Sequence, residues 1–238
     1  MSKASAQARA ERAAAALAEQ RRRERRRTIL SVIAVVLGMV VIVGGGALLG
    51  KLNHKDPDTS TASGGDAVGV AIGPADAPHD IVIYEDFICP YCGELEKASH
   101  EKLQELADAG KVRVEYRPFQ LLDIDYSPMA LQVFGAVRSL GDDTVTKKFH
   151  DLLYADQPSE QGPFPSQDDV IKLAVQAGAD ESAVRGALDA GKSWAETATA
   201  DASAAGVRST PTVLLDGSTF TDYRSMDDLA ANLAKAVA

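Results

Sequence analysis

Apolar and polar residues change rhythm several times along this chain, and each change marks an element. Thr28 to Gly50 (TILSVIAVVLGMVVIVGGGALLG) runs 23 residues without a charge. As a helix rising about 1.5 Å per residue it spans about 34 Å, enough for a hydrocarbon core of about 30 Å. It exceeds the roughly 7–15 apolar residues of a cleavable signal and lacks an A-x-A exit, so it predicts an uncleaved signal anchor. Lys51 to Asp66 is polar and rich in Ser, Thr, Gly and Asp, the composition of a tether.

Beyond the tether the period shortens to two. Val68, Val70 and Ile72 alternate with small residues and predict a short strand, and Ile81–Phe87 (IVIYEDF) reads as a buried central strand. C-P-Y-C follows at Cys89–Cys92, then a helical stripe of Leu95, Ala98 or Ser99, Leu103 and Leu106. Pro90 suits the first helical position and Gly110 the stop, which puts Cys89 at the N-cap. Lys111–Arg117 alternates again, with Val112, Val114 and Tyr116 inward. Helical periodicity then marks Met129–Leu140, Thr144–Tyr154, Gln167–Gly178, Glu181–Ala190 and Ser193–Ala205, with Asp168 and Asp169 in the first turn of the third. Strand character returns at Thr212–Asp216 and Thr219–Thr221, before a closing helix at Met226–Val237.

The expected fold class is therefore α/β, two β-containing halves separated by a helical insert at about residues 126–205, preceded by a single transmembrane helix. The predicted organisation is a basic segment at 1–27, the anchor at 28–50, a linker at 51–66 and a globular domain at 67–238.

Charge sharpens this picture. The net charge of −9 is unevenly placed: residues 1–27 hold nine Lys/Arg against three Glu, and residues 51–238 hold 16 Lys/Arg against 31 Asp/Glu. The run RRRERRR at Arg21–Arg27 abuts the anchor, so the positive-inside rule predicts a cytoplasmic N-terminus. The main domain then lies outside the cytoplasm, on a single-pass protein of the cell membrane. Its acidity argues against nucleic-acid binding, which rests on neutralising phosphates.

Cys89 and Cys92 are the only cysteines. A disulfide framework would need more, and a closed zinc site needs four ligands, so no metal is expected. His100 is the nearest histidine on the same helix; His79 and His100 read as surface residues, and His150 is too distant in sequence to place. A thiol at a helix N-terminus meets unpaired N–H groups and the positive end of the dipole, which favour the thiolate. The pair is thus expected to be redox-active, with no cofactor beyond the Cys89–Cys92 disulfide. One motif misleads. Gly186–Ser193 (GALDAGKS) fits the phosphate-loop pattern, but helix rather than strand precedes it, so it reads as a helix–turn–helix junction stopped by Gly191.

The strand–C-P-Y-C–helix unit, the late Thr210–Pro211 ahead of a strand and the final helix together resemble the thioredoxin superfamily. The helical insert and the run ADAPHDIVIYEDFICPYC are similar to the DsbA-like thiol–disulfide oxidoreductases, in particular the membrane-anchored type of Gram-positive bacteria and actinobacteria. FHDLLYADQP and GVRSTPTVLLDG resemble the same branch, and the resemblance covers about residues 66–238. It implies a thioredoxin fold, Cys89 as the exposed attacking sulfur and Cys92 as its buried partner, with Pro90 and Tyr91 shaping the pair. It also implies a cis Pro211 beside the pair, with Thr210 offering its backbone to an extended substrate. Many such relatives carry an acid six positions before the first cysteine, where this chain has Ile83. Glu85 and Asp86 become the candidate proton relay, against their reading as strand-end caps or surface charges.

The leading expectation is an enzyme that donates disulfides to exported proteins with free thiols. The resemblance implies reoxidation by a membrane partner of the VKOR or DsbB kind, and a monomer is expected. Oxidases of this group often carry His where Tyr91 stands, so the direction of electron flow stays open. The alternatives are a membrane-tethered reductase or isomerase and, from another class, a redox-silent thioredoxin-like module that binds peptides.

Overall fold

A computed structural model describes residues 68–238. The predicted basic segment, anchor and linker lie outside the described residues. Among those described, no helix is long and apolar enough to cross a membrane.

The elements run β1 (Val70–Ile72), β2 (His79–Glu85), α1 (Pro90–Asp108), β3 (Val112–Pro118), α2 (Tyr126–Ser139), α3 (Asp143–Ala155), α4 (Gln167–Ala177), α5 (Glu181–Gly186), α6 (Leu188–Ala204), β4 (Thr212–Leu215), β5 (Ser218–Thr219) and α7 (Met226–Ala236). One five-stranded sheet has the order β1-β3-β2-β4-β5. β2 pairs parallel to β3, with Ile83 opposite Tyr116, and antiparallel to β4, with Ile83 opposite Val213. A strand paired on both edges and covered on both faces reads as a continuous apolar run, which is why Ile81–Tyr84 are all buried.

The pleat sends Ile81 and Ile83 into the main core with α1, α2, α3, α4 and α7. Val82 and Tyr84 point the other way, into a smaller cluster with Phe119, Ala202, Val207 and Leu214. Helix α1 buries Leu95, Ser99, Leu103 and Leu106 and ends where Gly110 takes φ +72°, so the predicted stripe and stop both hold. The insert of α2–α6 spans 126–204.

The junction around Gly191 is corrected. The break falls at Ala187, and Gly191 lies buried inside α6 instead of stopping a helix. A Cβ there would stand 2.2 Å from the Gln132 carbonyl oxygen and 2.5 Å from the Ala136 nitrogen, both on α2. Gly135 returns the constraint from α2, where a Cβ would meet the Gly191 oxygen at 2.6 Å. The two glycines let α2 and α6 cross in near backbone contact. The segment resembling a phosphate loop is thus helical, with no strand leading into it.

Candidate active site

Both cysteines stand where β2 passes into α1. Cys89 is the N-cap of α1 in an extended conformation, with Pro90 in the first turn, and Cys92 lies one turn inside. No side chain caps this helix, so the first N–H groups are free to face sulfur. Both cysteines are free thiols and both are buried, with Cys89 4% and Cys92 1% exposed. The expectation of an exposed Cys89 is thereby corrected. Its Sγ lies 3.5 Å from the Thr210 carbonyl oxygen, so the loop ahead of β4 covers it, while Pro90 and Tyr91 stand exposed beside it.

Hydrogen bonding lowers one sulfur and burial raises the other. A hydrogen bond from Cys92 brings the Cys89 thiol down to about 6 against the opposing cost of burial, helped by Thr210 and the backbone at Cys92 and Tyr91. Burial pushes Cys92 well above the usual thiol range, and the Cys89 and Glu85 charges push the same way. At neutral pH the first sulfur is a thiolate and the second a thiol.

The Thr210–Pro211 bond is cis, as is Gly162–Pro163. Thr210 and Pro211 are half-buried at the head of β4. The turn itself is held by Gln157, whose Nε2 donates to the Phe87 and Cys89 carbonyls at 3.0 Å each. Gln157 lies against Gly93, where a Cβ would stand 2.3 Å from its Oε1. Sequence reading missed Gln157, because nothing local distinguishes it from any loop glutamine.

Glu85 and Asp86 are both buried, at 2% and 0% exposure, and are not surface charges. They differ in employment. Asp86 accepts N–H bonds from Ile88, Leu121 and Leu122, tying the β2–α1 turn to the loop after β3. Glu85 continues the Ile81–Ile83 face of β2 and meets the Nε2 of His150 at 2.5 Å. Burial raises the Glu85 carboxyl, while the His150 charge opposes that rise.

His150, on α3, is fully buried, and its Nδ1 lies 2.9 Å from Asp151 Oδ1. Burial alone would lower this imidazole. The Glu85 charge and hydrogen bonds to Asp151 and Glu85 win, raising it to about 9. Both ring nitrogens therefore carry protons at neutral pH. The same helix supplies Lys147, bonded to Asp151 and 3.7 Å from Glu96. Glu96 on α1 pairs with His100 at 3.0 Å, so His100 is half-buried and engaged, while His79 pairs with Asp216 at the far end of β2. Glu96, His150 and Asp151 bring three ligand atoms within 4.8 Å of one another. Lys147 already provides a cation among them. The sequence signal for His150 was its place between Phe149 and Leu153 on the buried face of α3; its partner lies 65 residues away.

The comparisons with known proteins agree with this geometry. A family model described as Thioredoxin matches residues 66–235. The reduced DsbA of Mycobacterium tuberculosis is 26% identical, covers 71% of this chain and 92% of its own, and superposes with a TM-score of 0.60. The reduced disulfide bond oxidoreductase DsbG of the same organism is also 26% identical, covering 76% and 92%, again at 0.60. A curated relative, the Na(+)/H(+) antiporter NhaA 3 of Salinispora tropica, is 32% identical over 171 residues, which is 70% of this chain and 24% of the antiporter. The chain spans about a quarter or less of the length of the curated relatives it matches, 24% and 12%.

Proposed function

We propose that this chain, which belongs to the thioredoxin family and is a thiol–disulfide oxidoreductase, donates disulfides to exported proteins outside the cytoplasm. The observation that carries the donor reading is the split between the two thiols, with Cys89 held down to about 6 and Cys92 held up. Stabilising the reduced thiolate makes the corresponding disulfide the stronger oxidant.

In the oxidised enzyme a substrate thiolate attacks Cys89 Sγ. The Cys89–Cys92 bond breaks, its electron pair goes to Cys92, and a mixed disulfide joins substrate to Cys89. A second substrate thiolate then attacks the substrate sulfur, and Cys89 leaves as a thiolate. Low thiol pKa makes it a fast leaving group. Two electrons end on the cysteines and one disulfide on the substrate. The Thr210 backbone, beside Cys89, lines up an extended substrate segment by strand addition.

The uncharged run at 28–50 and the basic cluster before it support a signal anchor with the catalytic domain outside. Oxidising chemistry is favoured in that compartment. The returned dithiol is reoxidised by a membrane partner of the VKOR or DsbB kind. The test is the reduction potential of the full chain in glutathione buffers, scored by thiol alkylation and mass. A donor lies near the DsbA value of about −120 mV and oxidises a reduced unfolded protein quickly. A value near about −270 mV, that of thioredoxin, overturns the donor role in favour of a reductase.

A further inference from the structure

We propose that His150 is a positioning residue for proton traffic, coupling the buried Cys92–Glu85 floor of the active site to solvent through Asp151 and the groove between α1 and α3. This deepens the thiol–disulfide reading and rests on it.

The geometry is that of a bridge. One imidazole nitrogen meets a sealed carboxylate, Glu85, at 2.5 Å, and the other meets Asp151 at 2.9 Å. The Asp151 side chain is 29% exposed and lines a groove together with Glu96, His100 and Tyr154. An imidazole held at both nitrogens accepts a proton on one side and releases one on the other without leaving its place. Cys92 needs such a route because it is 1% exposed yet must change protonation in every cycle. Its sulfur sits against the Glu85–Asp86 segment, taking a backbone hydrogen bond at Asp86 and feeling the Glu85 charge.

The groups around His150 decide its charge. β2 presents Glu85, and α1 presents Glu96, 4.0 Å from Nδ1. His100 on α1 lies 3.8 Å from Asp151. α3 adds Lys147, Asp151 and the Tyr154 ring at 5.1 Å, while β3 adds the Tyr116 ring at 4.6 Å. Phe134 of α2 and Phe87 close the remaining sides without a titratable group. Lys147, above the Tyr116 ring, answers Asp151 and Glu96. That leaves Glu85 to His150 and makes the pair a store for one transferable proton.

When the disulfide opens, the electron pair of the broken S–S bond goes to Cys92 Sγ, which takes the proton from the Glu85–His150 pair. Water at the groove refills the pair through Asp151. In the reverse sense, the pair first releases its proton to water through Asp151 and then takes the proton of Cys92, whose thiolate attacks Cys89 Sγ in a mixed disulfide. The bond from Cys89 to the outside sulfur breaks, and that sulfur departs as a thiolate.

The test mixes the reduced full chain with oxidised glutathione and quenches with acid, so that mass follows the Cys89–glutathione adduct as it forms and resolves. In His150→Gln the adduct should persist at least about tenfold longer at pH 6–7, with adduct formation unchanged within about twofold. The deficit should shrink as pH approaches 9 and hydroxide takes over. Asp151→Asn, altering a half-exposed side chain, should prolong the adduct about threefold with the same pH trend. Equal adduct lifetimes at every pH overturn the proposal, as does a fall in both steps without pH dependence, the mark of a merely structural role. If His150→Gln does not fold, an unchanged lifetime in Asp151→Asn overturns it. Failure of the unaltered chain to form any adduct overturns the oxidoreductase reading itself.

Discussion

Replacing Cys92 by Ala should loosen the hold on the Cys89 thiolate. The hydrogen bond from Cys92 is the largest of the influences that bring Cys89 to about 6, and Ala removes it while leaving Thr210 and the backbone donors in place. Against an ordinary thiol near 8.5, the full depression is about 2.5 units, or about 3.4 kcal/mol of thiolate stabilisation above pH 8.5. At pH 7 only the part between the two midpoints and the solution pH is realised, about 1.4 kcal/mol or about 30 mV of oxidising power.

The assay is iodoacetamide alkylation of the reduced protein across pH 4–10, read by mass. Rate at one pH is a poor measure, because intrinsic nucleophilicity falls as thiol pKa falls and offsets much of the gain in thiolate. The midpoint in pH is the measure. The native pair should show one reactive thiol titrating near 6 with Cys92 silent. Cys92→Ala should shift that midpoint up by about one unit or more, and Cys92→Ser, whose hydroxyl still donates, by less. A native midpoint above about 7.5, or the same midpoint in Cys92→Ala, refutes the assignment of the hydrogen bond as the main cause.

Two further outcomes follow from the packing and the buried charges. Gly191→Ala should lower stability by about 1–3 kcal/mol in urea unfolding despite the better helix propensity of Ala, because the new methyl would meet α2 backbone at 2.2 Å; an unchanged midpoint refutes the close crossing. For His150, raised to about 9, the stabilisation is complete below the unfolded value near 6.5 and is lost as pH rises through about 9, about 3 kcal/mol at most. In the oxidised protein Cys89 has no thiol to titrate, while His100, raised by its bond to Glu96, adds a loss of the same sign. The urea midpoint should therefore fall more between pH 6.5 and 9 in the native chain than in His150→Gln, and equal falls in the two refute the reading.

The half of the site that lies within one turn of chain was legible in the sequence. The β2 run, the proline at the start of α1 and the two cysteines state their positions through local period and helix-end chemistry, and those signals need no partner. Burial of Glu85 was not legible, because an acid at a strand end is ordinarily a cap or a surface charge; it becomes visible only once His150 arrives from α3. Gly191 shows the complementary difficulty. A glycine after a helical stretch reads as a stop, and only the Gly135 backbone opposite reveals that its missing side chain serves a helix crossing.

The insert is consequently part of the site's wall. Trp194 of α6 packs on Phe134 of α2 at 5.4 Å, and Phe134 packs on Phe87 at 5.3 Å, two residues before Cys89. Phe87 in turn meets Tyr154 at 5.4 Å and His150 at 6.0 Å, both on α3. The glycine crossing that sets the spacing of α2 and α6 thus fixes the ring that backs the cysteine turn, and the same rings shut water away from Glu85 and Cys92. Dry surroundings are what raise the Cys92 thiol and the Glu85 carboxyl, and the Glu85 charge and the hydrogen bond to Asp151 raise His150 against them. The sheet and α1 present the two sulfurs and lower the first, and the insert, by keeping water out, helps raise the second.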